Sequence, residues 1–335
     1  MRITIKDVAQ KANLSVAATS MALNGKDGIS ATTRVRVLAI AKEMGYMPNP
    51  SAQSLARKTS REIGLVVPDI TNPFYGDIVE KISKMTEALG YTMILGITNE
   101  NSKREREYIH MFISRRVQGV IIAPAVQTNP DYSHIDELKD YGIPFVFCID
   151  TYPGYTETCV MSDLRQGEYK LVRHLLEKGM RRIALVTTDS DLNFAKQRLE
   201  GYKQAFAEAQ LRIDSDFIFN IVKHPNYYGA YGIADEVINR EPEAICCIND
   251  IMAIGIIKRL KERGIKVPRD ILVAGFDNTL FSEIAQPPIT TVSQPLDRIC
   301  KISLDSLINK ITKADEKDYI YLLPTELILR ETTER

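Results

Sequence analysis

No apolar run in this sequence approaches the about 18 residues needed to cross a bilayer, and no greasy stretch opens it. These absences exclude a membrane-spanning chain and a secreted precursor, so a cytoplasmic protein with no membrane partner is expected. Charge of one sign is missing too, because 43 lysines and arginines balance 43 aspartates and glutamates. A chain coated overall in basic charge is excluded, and any nucleic-acid surface must be local. Cysteine is sparse. Cys148, Cys159, Cys246, Cys247 and Cys300 form an odd set without C-x-x-C spacing, which reads as reduced, buried thiols. His110, His134, His174 and His224 are scattered without ligand spacing, so no metal is expected. The first apolar run is followed by Asp69-Ile70-Thr71-Asn72-Pro73-Phe74 instead of G-x-G-x-x-G. The chain also lacks a phosphate loop of the G-x-x-x-x-G-K-[ST] type and a G-x-S-x-G elbow. Neither an enzyme nor a cofactor is expected.

What is present is a chain of 335 residues, 44% hydrophobic, long enough for two or three domains. Its zero balance hides an asymmetry. Residues 1 to 60 hold nine cations against Asp7, Asp27 and Glu43, which leaves +6 there and −6 on the remainder. A small basic head on a larger acidic body suggests a polyanion partner for the head alone, although a solvated basic face has the same charge count.

The head reads as three short helices. Thr4 and Asp7 have the spacing of a capping box before a stripe of Ile5, Val8, Ala9 and Ala12. Asn13 breaks that helix, Ser15 caps a second from Val16 to Leu23, and Asn24-Gly25 ends it. A third starts at Ser30, turns Val35, Leu38, Ile40, Ala41 and Met44 inward, and stops at Gly45. Three short helices with a basic surface suit a helix-turn-helix, whose second helix enters the major groove.

The stretches TIKDVAQKANLSVAATSMALNG and ISATTRVRVLAIAKEMGYMPNPSAQSLA resemble the DNA-binding headpiece and hinge of the LacI/GalR family, the lactose and galactose repressors. The resemblance implies that Val16 and Ala17 read bases, that Thr19 and Ser20 touch phosphates or nearby edges, and that Thr4, Ser15, Asn24, Asn49 and Ala56 belong to the DNA-binding set. Met21 stands where the family usually carries an arginine. A bidentate arginine on guanine is worth about 1 to 3 kcal/mol of discrimination, so a different preference at that base pair is expected unless Met21 simply packs. Residues 49 to 58 are too short for a stable isolated helix. In the family this segment folds on the operator, and the leucine at the position of Leu55 wedges into the minor groove. An ordinary linker contact by Ala52 and Leu55 is the plainer alternative.

From Ile63 onward, short apolar runs alternate with amphipathic helices: IGLVVP, YTMILGI, GVIIAP, PFVFCI, RIALVTT, AICCIN and ILVAGF. That is the pattern of parallel sheets with helices on both faces. Ligands of such sheets sit beyond the carboxyl ends of the strands, so the residues after each run are candidates. They are Asp69, Asn72, Phe74, Tyr75, Asp150, Asp189, Asn193, Arg198, Asn249, Asp250 and Asp277, with Gln294 in a later crossover. Carboxylates, amides, one arginine and rings suit a polyhydroxylated ligand, and they would suit glycoside hydrolysis as well, but an enzyme would leave the basic head unexplained. Asp250 and Asp69 are expected to be helix caps, and Phe74 and Tyr75 can also be read as core at the interface between the two halves.

PDITNPFYGDI, SRRVQGVII, RLEGY, NDIMAIG and GFDNT are similar to the family's effector domain, which shares the two-lobed fold of periplasmic sugar-binding receptors. The resemblance makes Asn72, Phe74, Tyr75, Asp150, Phe194, Arg198, Asn249, Asp277 and Gln294 effector contacts. Leu192 and Phe194 replace the polar groups of purine-responsive relatives, which favours a sugar. The implied layout is a headpiece at 1–47, a hinge at 48–61, one lobe from 62–162 with 293–325, and the other from 163–292 with 326–335. The implied function is a repressor of carbohydrate genes, gated by a small sugar and bound as a homodimer to a pseudo-palindromic operator. The alternative is a catabolite-type regulator that uses a phosphocarrier protein as co-repressor. No heptads follow the last apolar runs, so a dimer is expected rather than a tetramer.

Overall fold

The computed structural model describes residues 3–25, 27–46, 60–125, 131–188, 192–221, 226–313 and 317–334. Asn49, Leu55 and Ala56, with most of the expected hinge, lie outside the described residues, as does Asp189. The chain divides into two compact units, Met1–Ser60 and Arg61–Arg335.

The first unit holds α1 (Ile5–Ala12), α2 (Val16–Leu23) and α3 (Ala31–Glu43). Their start and stop signals work as local chemistry. The Asp7 carboxylate accepts from the Thr4 backbone N–H at 2.7 Å, and the Ser15 hydroxyl accepts from Ala18 N–H at 3.1 Å. Asn13 ends α1 in the left-handed conformation, while after α2 that conformation falls on Gly25 and not on Asn24. Val8, Ala12, Ala22, Val37 and Ala41 form the core. Two expectations fail here. Val35 and Leu38 are 67% and 48% exposed, and Val37 points inward instead. At about 100° per residue, Val35 lies on the far side of α3 from Val37, and the pair Val37 and Ala41 sets the buried face. Thr19 is fully buried in α2, so its hydroxyl cannot reach DNA.

The second unit is built on two parallel sheets. The first has six strands in the order β11-β5-β4-β3-β1-β2, comprising β1 (Glu62–Val67), β2 (Thr92–Ile97), β3 (Gly119–Ile122), β4 (Phe145–Cys148), β5 (Cys159–Ser162) and β11 (Ile320–Leu323). All its pairings are parallel, and β3 and β4 are buried along their whole length, as strands covered on both faces must be. Ile63, Leu65 and Val67 face α4 (Pro73–Ala88) and α12 (Leu296–Thr312), while Val66 faces α5 (Ser102–Arg115) and α6 (Ser133–Asp140).

The second sheet has the order β7-β6-β8-β9, with β6 (Ile183–Thr187), β7 (Ile218–Asn220), β8 (Ala244–Cys247) and β9 (Leu272–Ala274). It lies between α7 (Leu164–Glu177) with α8 (Asn193–Glu208) on one face and α9 (Tyr227–Ile238) with α10 (Asp250–Glu262) on the other. Strand alternation sends Cys246 to the first face and Cys247 to the second, so these neighbours are two separate core thiols. All five cysteines are free and buried. After α11 (Leu280–Ile284), β10 (Thr291–Ser293) pairs antiparallel with β12 (Glu326–Ile328). Between those two strands the chain supplies α12 and β11 to the six-stranded sheet, so it passes between the sheets three times. Among the described residues no helix is long and apolar enough to cross a membrane.

Candidate functional site: the cleft between the sheets

The loops at the carboxyl ends of both sheets enclose a cavity of about 730 Å³. All nine residues expected to contact an effector line it, as do Asp69 and Asn193. The two parallel sheets explain the convergence, since every strand delivers its following loop to the same end.

On the first sheet, the Asp69 carboxylate accepts from Thr71 N–H at 2.7 Å and from Asn72 N–H at 3.2 Å, folding the loop after β1 into an Asx turn. The Asn72 carboxamide oxygen then caps α4 by accepting from Phe74 N–H at 3.1 Å, with Pro73 at the first helical position. After β4, Ile149 takes a positive φ of 70° and aims Asp150 at the cleft. Its carboxylate accepts from Thr151 N–H at 2.9 Å and from the Asn193 side-chain amide at 2.5 Å. Asn193 belongs to α8 of the other sheet, so this bond spans the cleft.

On the second sheet, the Asn249 carboxamide oxygen accepts from Met252 N–H at 2.8 Å and caps α10. The caps are therefore Asn72 and Asn249, not the expected Asp69 and Asp250. Asp250 opens the helix one residue later, fully buried. Its carboxylate accepts from Thr279 N–H at 2.7 Å, Thr279 Oγ1 at 2.9 Å and Thr291 Oγ1 at 2.6 Å, which fastens the loop after β9. Gly275 is tight against Asp250, where a side chain would collide with that carboxylate. The loop it holds presents Asp277 at φ 103°, a conformation costly for a non-glycine residue.

Asp277, Gln294 and Arg198 form the deep end. Gln294 Nε2 donates to Asp277 Oδ1 at 2.7 Å, and Arg198 Nη2 stands 3.7 Å from the same oxygen. Arg198 is only 4% exposed. Its guanidinium carbon lies 4.1 Å from the Phe276 ring centroid and 5.8 Å from that of Phe194. Burial pushes the Asp277 and Asp150 carboxyls up to about 6, against the pull of Arg198 on both. Burial likewise lowers the Arg198 guanidinium from its usual value, while Asp277 and Glu168 hold it up. Glu168, on α7, is completely buried, and among the described residues its carboxylate has no hydrogen-bond partner.

Several lining residues escaped the sequence reading. Asn99 and Glu100 follow β2, and the rule applied to the other strands would have found them. Asn226, Tyr227 and Tyr228 stand at the start of α9, and Tyr132 and Tyr152 lie deep in loops; no motif marks any of them. What the cleft offers is hydrogen-bond donors and acceptors at its deep end and ring faces along its walls. Among the described residues no cluster of His, Cys, Asp or Glu could hold a metal.

Residues 4–49 match the model of the bacterial regulatory proteins of the lacI family, and residues 172–333 match that of a periplasmic binding protein-like domain. The HTH-type transcriptional regulator DegA of Bacillus subtilis is 33% identical over 335 residues, covering 99% of this chain and 98% of DegA. The ribose operon repressor of Halalkalibacterium halodurans is 32% identical, covering 98% of this chain and 97% of its own. Among solved structures, the lac repressor dimer bound to operator and the anti-inducer ONPF superposes with a TM-score of 0.86 at 26% identity, covering 99% of each chain.

Proposed function

Because the chain belongs to the lacI family of bacterial regulatory proteins, and is therefore a DNA-binding transcriptional regulator, we propose that a small sugar in the cleft gates its hold on a pseudo-palindromic operator. The observation that carries this reading is the convergence of Asp150, Arg198, Asn249, Asp277 and Gln294 from both sheets on one cavity. Each cap asparagine spends its carboxamide oxygen on a helix and keeps its NH₂ for a ligand, while the carboxylates accept from hydroxyls. Sugar hydroxyls both donate and accept, so they match this mixed set.

Gating follows from the two-sided construction. A ligand held from both sheets favours one separation of the lobes over another, and residues 48–61 would carry that difference to the headpiece. By linkage, operator binding alters ligand affinity by the same factor. Two-fold DNA calls for a two-fold protein. Leu280, Phe281 and Ile284 of α11, exposed by 64%, 45% and 60%, form an apolar patch that suits a second copy of this chain. The output is repression of carbohydrate genes, exercised in the cytoplasm where the DNA is.

The test is calorimetric titration of the purified protein with pentoses, hexoses and their phosphates, repeated on Arg198→Ala. Binding to the parent that is lost in the variant, with the apo fold intact, is the expected result. Retained binding removes Arg198 from the site. Binding of nothing in the panel transfers the control step to a non-sugar effector or a protein co-repressor.

A further inference from the structure

Beneath the cleft wall on the six-stranded side lies a buried polar cluster that neither the site's convergent hydrogen bonds nor the family resemblance accounts for. Glu105 and His134 are both fully buried. His134 Nε2 stands 2.6 Å from Glu105 Oε1, the Tyr152 hydroxyl donates to Glu105 Oε2 at 2.7 Å, and Ala125 N–H donates to the same oxygen at 3.1 Å. Ala125 N–H also donates to the Tyr152 hydroxyl oxygen at 2.7 Å. One carboxylate thus joins four segments: α5, the loop after β3, α6 and the loop after β4.

Two of those segments, the loops after β3 and β4, supply the cleft wall. Ala125, Tyr132, Asp150 and Tyr152 all line the cavity. Tyr152 is stacked on Tyr132 with ring centroids 3.9 Å apart and an interplanar angle of 27°. Its hydroxyl is already occupied by Glu105 and Ala125, so what Tyr152 has left to offer the cleft is its ring. Burying a carboxylate costs several kcal/mol, and an apolar residue of similar size would stabilise the lobe as well or better. Glu105 is tolerated because it sits in the first turn of α5, where the helix dipole favours an anion, and because three hydrogen-bond partners, His134, Tyr152 and Ala125, surround it. A costly group directly behind a ligand-facing wall fits a role in geometry.

We propose that Glu105, backed by His134, is the positioning residue of the effector wall, fixing the Tyr132–Tyr152 stack as a platform against which the ring face of the effector packs. The ligand half of this rests on the carbohydrate reading above: a sugar ring has an apolar face for the platform and hydroxyls for Asp150, Arg198 and Asp277. The positioning half stands on the hydrogen bonds alone.

The chain has no tryptophan, so Tyr132→Trp places a single indole in the platform. Iodide quenching of that indole should rise severalfold when Glu105→Ala is added and stay at the same level with Glu105→Gln, whose amide can remake the contacts to Tyr152 and Ala125. Equal quenching in all three overturns the positioning role. Should Glu105→Ala fail to fold, Tyr152→Phe removes the bond from the Tyr152 hydroxyl to Glu105 while leaving those of Glu105 to His134 and Ala125, and should free the indole in the same direction. Cellobiose, glucose and ribose are then titrated into the parent chain, which keeps Tyr132, and into its Glu105 variants. A sugar that binds the parent should bind Glu105→Ala about tenfold more weakly, and Glu105→Gln nearly as well as the parent. Parent affinity in Glu105→Ala, when the same substitution has freed the indole, overturns the platform. Binding of none of the three sugars overturns the carbohydrate reading and the ligand assigned to the platform, while quenching still decides the role of Glu105.

Discussion

Arg198 concentrates the chemistry of the cleft in one side chain. It is buried between two aromatic rings, and its nearest carboxylate stands at 3.7 Å, so the guanidinium is paired by charge but still has N–H groups to direct at a ligand. Loss of ligand response in Arg198→Ala therefore tests the site itself. Glu168 behind it makes a different prediction. Burial pushes its carboxyl up to about 7 from an ordinary value of 4.5, so the folded chain keeps a proton there that the unfolded chain has lost. Its contribution to stability is complete at acid pH and disappears as pH rises through about 7. Glu168→Gln keeps the shape and removes the titration. Its thermal midpoint should equal the parent's near pH 4, below the ordinary value, and exceed it near pH 8, and midpoints equal at both pH values would show that Glu168 is solvated in the folded chain.

Elements follow from local signals, and their packing depends on small residues at close approaches. Ser15→Ala removes the cap of α2 and should cost the headpiece about 1 kcal/mol in a denaturant melt. Gly201 of α8 crosses α7 where an added Cβ would collide with the Arg165 carbonyl oxygen, a backbone atom that cannot step aside. Gly201→Ala should destabilise the second unit by about 1–3 kcal/mol. A melt unchanged by that substitution would mean that α7 and α8 slide apart freely. The role of Leu55 rests on the family resemblance. Leu55→Ala should weaken operator binding more than binding to unrelated DNA, and equal losses on both would remove the wedge.

For the molecule as a whole, the proposed gating on a two-fold operator calls for a second copy. The apolar α11 patch predicts that Leu280→Asp gives a monomer in sedimentation velocity and weakens operator binding steeply, because the two half-sites are then bound independently. A variant that still sediments as a dimer would place the interface elsewhere.

What is local or periodic is legible in the order of residues alone. Asn13, Ser15 and Ser30 mark helix boundaries through their own hydrogen bonds and dihedrals, and seven apolar runs mark seven of the strands. The rule that ligands sit beyond strand ends was enough to gather nine lining residues, because parallel topology sends every such loop to one side. What depends on partners distant in the chain emerges only once the chain is folded. Thr19 and Val37 are buried, and Val35 is not, because the angles at which the headpiece helices meet choose the inner face of each. Asn249 caps α10 while Asp250 fastens a loop, because Thr279 and Thr291 arrive from elsewhere in the chain. The strands β5 and β7 are short and carry no alternation of their own, so pairing with their neighbours defines them. His134 and Tyr152 lie 29 and 47 residues from Glu105 along the chain, and no pattern of spacing joins them. Their meeting depends on the fold, since a buried carboxylate is stable only where several distant donors converge on it.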